Sequence, residues 1–311
     1  MEYNIYKLRF KTAVHLGENN LSKSSNVIFA DTLSSALCTE AIKEGTEYLD
    51  EFVKTVKENQ LQFSDCMPYI GDKYYIPKPV KKIDNGENGD SSIKKQYKKL
   101  KYIPIDQFDE YLNGKLDPSD TNKNYSDNIG NYEMKTSSAV RGLDETLPYH
   151  VQSFRFKKNS GLYLIVGFED CDSLDIFDNL LDMLSYTGIG GKKSSGLGKF
   201  DIVTGKFPEE FKNRLSKTGK EYMTLAISLP SDNELETVTD NSNSRYILKK
   251  RSGFVESESY SDTFQRKKDI FMFQAGSCFT EKYLGDIFDV KGNGNHPVYR
   301  YGKPMWMEVT G

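Results

Sequence analysis

The stretch Thr187–Phe200 reads TGIGGKKSSGLGKF, and it sets Gly188, Gly190, Gly191, Gly196 and Gly198 among Lys192, Lys193, Ser194, Ser195 and Lys199. A backbone this rich in glycine can approach a ligand closely and turn its N–H groups outward. The lysines make a polyanion the natural ligand, and the two hydroxyls add donors for phosphate or sugar oxygens. The competing reading is a structural turn packed against a sheet.

Two nucleotide motifs fail on this stretch. A Walker A loop needs G-x-x-x-x-G-K-[ST]. Gly191-Lys192 is followed by Lys193, with Tyr186 at the first glycine position; Gly198-Lys199 is followed by Phe200, with Lys193 at that position. A Rossmann fingerprint needs G-x-G-x-x-G after a strand and opening a helix. Counted from Gly188, the third glycine would be Lys193. Phe177, Leu180, Leu181 and Leu184 recur at helical spacing, so the loop follows a helix instead.

The net charge of −3 argues against a free-standing, high-affinity nucleic-acid binder, yet the basic residues are clustered. Lys94, Lys95, Lys98, Lys99 and Lys101 form one run, Lys249, Lys250 and Arg251 a second, and Arg266 to Lys268 a third. Lys249 and Arg251 sit on a strand-like segment, where they line the same groove as the glycine loop or a solvated strand face. Acidic residues collect at Glu169 to Asp182 and at Asp232 to Asp240, the latter expected as a solvated loop. The chain has 20 Tyr and 18 Phe among its 311 residues. Most of these fill cores and sheet faces, and exposed Tyr offers stacking surfaces for bases. The four cysteines and three histidines are scattered, so no metal site, cofactor site or disulfide framework is legible. Tyr3 to Phe10 alternates polar and apolar residues, unlike a secretory leader, and no apolar run approaches membrane-spanning length. A cytoplasmic, reducing location is expected.

The elements that must position the loop are predicted as follows. A strand over Glu2 to Thr12 leads through a polar loop (Gly17 to Asn26) to a helix N-capped by Asp31, then a second helix over Glu47 to Asn59 and short strands near Tyr69 and Tyr74 to Ile76. Residues 77 to 131 change composition and read as a partly mobile insertion, with turns at Asp84 to Gly86 and Glu87 to Asp90 and with Leu100 to Leu112 its ordered part. Val151 to Phe156 and Gly161 to Phe168 read as two strands joined by a hairpin at Lys157 to Ser160; the helix, the glycine loop and a strand over Lys199 to Gly205 complete the first half. The order βα…ββαβ suits a ferredoxin-like fold. Tyr222 to Leu229, Tyr246 to Val255, Phe271 to Phe279 and Val298 to Val309 give a strand-rich second half, a degenerate copy with little helix.

The helix followed by GIGGKKSSGLGKF resembles the glycine-rich loop of the RAMP superfamily of CRISPR proteins. Phe10 to Gly17 (FKTAVHLG), Ala30 to Leu37, Leu248 to Ser257 (LKKRSGFVES), Ala275 to Cys278 and His296 to Pro304 are similar to one branch of it. That branch is the Csm subunit that holds the crRNA 5′ end in type III-A effector complexes. The resemblance implies an α+β protein of two ferredoxin-like (RRM-like) domains with a glycine-rich loop and a β-hairpin thumb. The N-terminal domain would cover residues 1–206, with the insertion at about 77–131 and the thumb at about 131–156, and the C-terminal domain residues 220–311. It implies a non-catalytic subunit of an antiviral ribonucleoprotein that binds the crRNA 5′ tag, contacts the large polymerase-like subunit and a backbone RAMP subunit, and meets target RNA in the guide duplex. His15 ends the first strand near where RAMP endoribonucleases keep a general base, and with Lys23 as the cation it could serve metal-independent cleavage. That is the rival reading; the other is a His15 that contacts the tag or is structural. Arg141 lies on or beside the thumb, as an RNA contact or a surface arginine.

Overall fold

In the structure, a computed structural model, β1 (Glu2–Phe10) alternates its side chains: Tyr6 and Leu8 enter one hydrophobic cluster and Ile5 another on the opposite face. All residues are described except 18–19, 84–90, 140–146, 256, 258–259, 261–262, 264 and 311. The turns expected at Asp84 to Asp90, and Arg141, therefore lie outside the described residues. β2 (Leu16–Gly17) and β3 (Ser24–Ser25) pair as a short ribbon inside the segment expected as an irregular loop. Next come α1 (Ala30–Glu44), α2 (Thr46–Lys57), β4 (Leu61–Phe63), β5 (Met67–Ile70) and β6 (Lys73–Pro77). The N-cap of α1 is Phe29, and Asp31 is buried in the first turn instead of capping it.

The insertion is more regular than its composition suggested. It folds as α3 (Ser91–Lys99), β7 (Tyr102–Pro104), α4 (Phe108–Leu112) and α5 (Pro118–Ile129). The polar stretch after Asp117 is helical because Asp117 caps it, accepting the Ser119 amide hydrogen at 2.8 Å, and Pro118 stands where a missing N–H costs nothing. β8 (Gly130–Ala139) and β9 (Leu147–Phe156) pair over their whole length as the expected thumb-like hairpin. β10 (Ser160–Phe168), α6 (Cys171–Thr187) and β11 (Phe200–Thr204) follow. The hairpin expected at Lys157 to Ser160 is a turn only: β9 pairs with β8, while β10 joins the main sheet.

That sheet runs β11-β1-β10 and onward through β5-β6-β7, with β4 also on β10. Both β4 and β5 lie antiparallel to β10, at Val166–Phe168 and Ser160–Tyr163. The unit β1-α1-β4-β10-α6-β11 thus has the strand order fourth-first-third-second of a ferredoxin-like fold. Leu33 and Leu37 of α1 and Phe177, Leu180, Leu181 and Leu184 of α6 cover one face. The other face is covered as well, by Ile103, Ile105 and Phe108 from the insertion and by Met223, Leu225, Met305 and Met307 from the C-terminal part. Burial on both faces explains why β10 reads as an almost unbroken apolar run.

Beyond the sheet lie α7 (Glu209–Ser216), β12 (Tyr222–Thr224), α8 (Asp232–Thr239), β13 (Leu248–Arg251), β14 (Ile270–Phe273), β15 (Cys278–Phe279), β16 (Ile287–Asp289), β17 (Tyr299–Tyr301) and β18 (Trp306–Glu308). β15-β12-β18 form a sheet; β13-β14 and β16-β17 are ribbons. The strands are shorter than their apolar runs, and the acidic block at Asp232 is a helix instead of a solvated loop. A capping box nucleates it: Glu234 accepts from the Ser231 amide at 2.9 Å and from the Ser231 hydroxyl at 2.8 Å.

Candidate RNA-binding site

The glycine loop is suspended between two pieces of the first strand segment. α6 stops at Gly188, whose N–H caps the Leu184 carbonyl at 2.8 Å. Below that end Glu40 of α1, buried, accepts from Thr187 Oγ1 at 2.9 Å and pairs with Lys43 at 2.6 Å. Ile189, also buried, drives the loop inward. The Gly191 amide then donates to the His15 carbonyl at 2.8 Å and the Gly198 amide to the Ala13 carbonyl at 2.9 Å. Gly190, at φ 92°, passes so close that a Cβ would lie 2.5 Å from the His15 carbonyl oxygen. Glycine there is required by space as well as by backbone angle.

Between these pins the loop turns outward. Lys192 holds a left-handed φ of 62°, uncommon for a residue with a side chain, and starts a single 3-10 turn over Lys193–Ser195. Its carbonyl accepts from Ser195 at 3.0 Å, and that of Lys193 from Gly196 at 2.9 Å. Ser194 and Ser195 are exposed, and Lys192 and Lys193 are half-buried. Lys192 Nζ lies 5.1 Å from the centre of the Tyr149 ring on β9, so loop and hairpin share one surface.

His15 is brought to this loop but not to its outer face. Its ring is buried beneath Gly191, and Nδ1 lies 2.6 Å from the Gln152 carbonyl. A carbonyl only accepts, so Nδ1 carries the proton and donates. Gln152 is a clasp that the sequence did not reveal: its side-chain oxygen accepts from the Ser24 amide at 2.9 Å and its own amide donates to Leu21 at 2.8 Å. Val14 and Phe154 exchange backbone bonds at 2.9 and 2.8 Å, fastening the base of the hairpin. Lys23 is exposed next to this clasp, one residue before Ser24, which pairs with Gly17 across the β2-β3 ribbon. Of the two non-catalytic readings of His15, a tag contact or a structural role, the burial of its ring fits the structural one; Lys23 faces outward. The hairpin stands clear of the body, with Tyr132 and Met134 about half exposed.

The second basic group has a different role from the one expected. Arg251 binds Asp31 through both carboxylate oxygens, Nε to Oδ2 at 2.8 Å and Nη2 to Oδ1 at 2.9 Å, and Nη2 also reaches Thr32 Oγ1 at 2.8 Å. Arg300 donates to the same carboxylate from the other side. Burial pushes the Asp31 pKa up, but the two guanidinium groups outweigh it and hold the carboxyl below its ordinary value. Arg251 is therefore neither a free groove-lining cation nor part of a solvated face; it ties β13 to α1. Lys249 Nζ stacks 4.7 Å from the Phe29 ring beside it. The spacing of Asp31, Arg251 and Arg300 along the chain carried no signal of this cluster.

The most informative comparison is with a curated protein of Mycobacterium tuberculosis (strain H37Rv), "CRISPR system Cms protein Csm4", 35% identical over 296 residues that cover 95% of this chain and 94% of the relative. The chain belongs to the Csm4 family. A Csm4 of Streptococcus thermophilus is 29% identical and covers 99% of each chain. The family profile for the CRISPR Csm4 C-terminal domain matches residues 217–309 of this Csm4-family chain. Among solved structures, a Csm3-Csm4 subcomplex of the type III-A CRISPR-Cas interference complex matches over 99% of this chain and 100% of its counterpart, with a TM-score of 0.69 at 17% identity. A Csm1-Csm4 cassette in complex with cA4 gives 0.60 at 19% identity, covering 99% and 98%. At these identities the likeness is one of fold, the mixed helix-and-strand RAMP architecture. Among the described residues no helix is long and apolar enough to cross a membrane.

Proposed function

We propose that this Csm4-family chain is the crRNA-binding structural subunit of a type III-A CRISPR effector complex, without a catalytic role of its own. Its glycine loop anchors the repeat-derived 5′ tag, its β8-β9 hairpin meets the guide–target duplex, and it joins a large polymerase-like subunit of the Csm1 type to a backbone filament of the Csm3 type. The observation that carries this reading is the arrangement of the loop: two backbone bonds to Ala13 and His15 pin it, while Lys192, Lys193, Ser194 and Ser195 are turned outward beside the hairpin. Phosphate contacts of this kind position a strand without reading its bases. Family membership and relatives paired with Csm1 or Csm3 support the choice of partners.

The experiment is assembly of the complex with Lys192→Ala/Lys193→Ala. Purified complex carrying the double variant is expected to retain less crRNA than wild type at equal subunit stoichiometry. Wild-type retention would remove the loop from the tag-binding role.

A further inference from the structure

α3 and α5 of the insertion lie side by side, joined by Asn122 Nδ2 donating to the Gln96 carbonyl at 3.1 Å, and Tyr97 Oη of α3 donates to the carbonyl of Leu116, just before α5, at 2.8 Å. Between them opens a cavity of about 500 Å³, within the range that holds a nucleotide-sized ligand. Lys99 lines it from the end of α3, Lys101 from the link to β7, and Lys123 from α5. All three are exposed, and among the described residues none has a carboxylate within ion-pair distance. Elsewhere in the chain lysines do find such partners, as Lys73 does in Asp106 and Lys250 in Asp269. Ser119, Asn122, Lys123 and Ser126 recur at i, i+3, i+4 and i+7, so α5 turns a polar face to the cavity; Asp120 and Asp127 flank Lys123 at i−3 and i+4 on the side away from Asn122 and do not line the cavity.

The floor is aromatic. Tyr102 and Tyr125 both line the cavity, stacked with ring centres 5.6 Å apart and 25° between planes. Tyr125 is held in place by Asn26, whose amide donates to its hydroxyl at 3.2 Å. Exposed lysines for phosphates, hydroxyl and amide groups for ribose, and a ring for a base are the features of a single-strand binding groove. Asn26 lies two residues from Ser24, which the Gln152 clasp holds near the glycine loop, so the groove and the loop are separate surfaces joined by one short segment.

We propose that the α3-α5 groove is a second binding surface for single-stranded RNA, distinct from the glycine loop. This rests on the function proposed above only in expecting RNA to reach the chain. The test uses the full chain and fluorescein-labelled oligouridine, followed by anisotropy across a salt series, with Lys99→Ala/Lys101→Ala/Lys123→Ala compared to wild type and to Lys192→Ala/Lys193→Ala. The triple variant changes exposed side chains, and its melting temperature serves as the folding control. Its Kd is expected to rise about tenfold at low salt. The slope of log K against log salt is expected to fall by about 2, the sum of three phosphate contacts at about 0.7 each. Photo-crosslinks from 4-thiouridine to the peptides bearing Tyr102 and Tyr125 are expected to disappear with it, and to persist in the double variant. An unchanged Kd and slope in the triple variant would overturn the proposal. So would equal competition by inorganic polyphosphate, which has charge but no bases. If the glycine loop is not an RNA site, the double variant alone binds like wild type, so the two readings fail separately.

Discussion

The carbonyl oxygen of His15 accepts the amide hydrogen of Gly191 at 2.8 Å, and the His15 ring lies directly under Gly191. The end of the first strand segment is thereby fixed to the one loop whose composition suits a polyanion. Because the ring nitrogen Nδ1 also donates to Gln152, the same histidine couples the loop to the base of the β8-β9 hairpin. Loop and hairpin base are thus both bonded to this one residue.

The pinning at Gly190 and the openness at Gly196 make a controlled pair. Both glycines have positive φ, 92° and 82°, but a Cβ at Gly190 meets the His15 carbonyl and one at Gly196 meets nothing within 4 Å. Gly196→Ala therefore bears only the backbone term, about 1 kcal/mol. Gly190→Ala adds displacement of the pin and is expected to cost about 1–3 kcal/mol in all. Thermal melting should show the larger loss at Gly190, and equal losses would contradict the pin.

Lys192 separates stability from binding. Its left-handed backbone suits glycine better than lysine. Lys192→Gly is expected to hold or raise the melting temperature by relieving that strain, while weakening RNA binding through loss of the charge and of the contact to Tyr149. A variant that lost both stability and binding would show that the lysine is retained for packing.

His15, the helix after Ala30 and the glycine loop were all legible in the sequence, because helical spacing and glycine density are local signals. The α3 and α5 helices were not, since their polar composition hides what stabilises them: a cap at Asp117 and Ile129 in the main core for α5, and Tyr97 packed on the cluster of Ile103 and Phe108 for α3. The roles of Asp31 and Arg251 were misread for a related reason. Each residue looks ordinary in its own segment, a cap before a helix and a cation on a strand, and only the fold brings together positions 220 residues apart. Gln152 and Glu40 gave no signal at all, because their work is to hold other residues.

Asp31→Asn leaves Arg251 and Arg300 facing a neutral amide in a buried site. Breaking a buried pair in this way costs about 3–5 kcal/mol. Denaturant unfolding is expected to show a loss of that order. Arg251→Ala should likewise lower stability yet leave RNA affinity of the folded chain close to wild type. A selective loss of RNA affinity at unchanged stability would return Arg251 to the RNA-binding surface.

Asp65 is expected to make stability depend on pH. Its carboxylate accepts from the Ala30 amide at 2.7 Å and the Ile227 amide at 2.9 Å, and burial, outweighing those bonds, raises its pKa from 3.8 to about 7. The folded chain therefore holds a proton that the unfolded chain releases. That stabilisation is fully present below pH 3.8 and is lost as pH rises through about 7. Asp65→Asn keeps an acceptor oxygen and cannot ionise. Its melting temperature relative to wild type should climb between about pH 4 and pH 7 and level off above that, and a difference independent of pH would contradict the assignment.

The burial of the His15 ring bears on the rival reading of the chain as a metal-independent endoribonuclease. Incubation of the purified chain with repeat RNA and EDTA is expected to give no discrete product. A cut made by wild type and lost in His15→Ala would establish that activity and displace the non-catalytic assignment.

The central claim, that the glycine loop holds the 5′ tag, is tested most directly by photo-crosslinking in the assembled complex. A crRNA with 4-thiouridine confined to the tag is irradiated, digested and mapped by mass spectrometry, beside a crRNA labelled only in the guide. The expected result is tag-specific crosslinking to the peptide spanning Gly188–Lys199, strongly reduced in Lys192→Ala/Lys193→Ala. Tag crosslinks that fall wholly outside this peptide in an intact complex would contradict the claim.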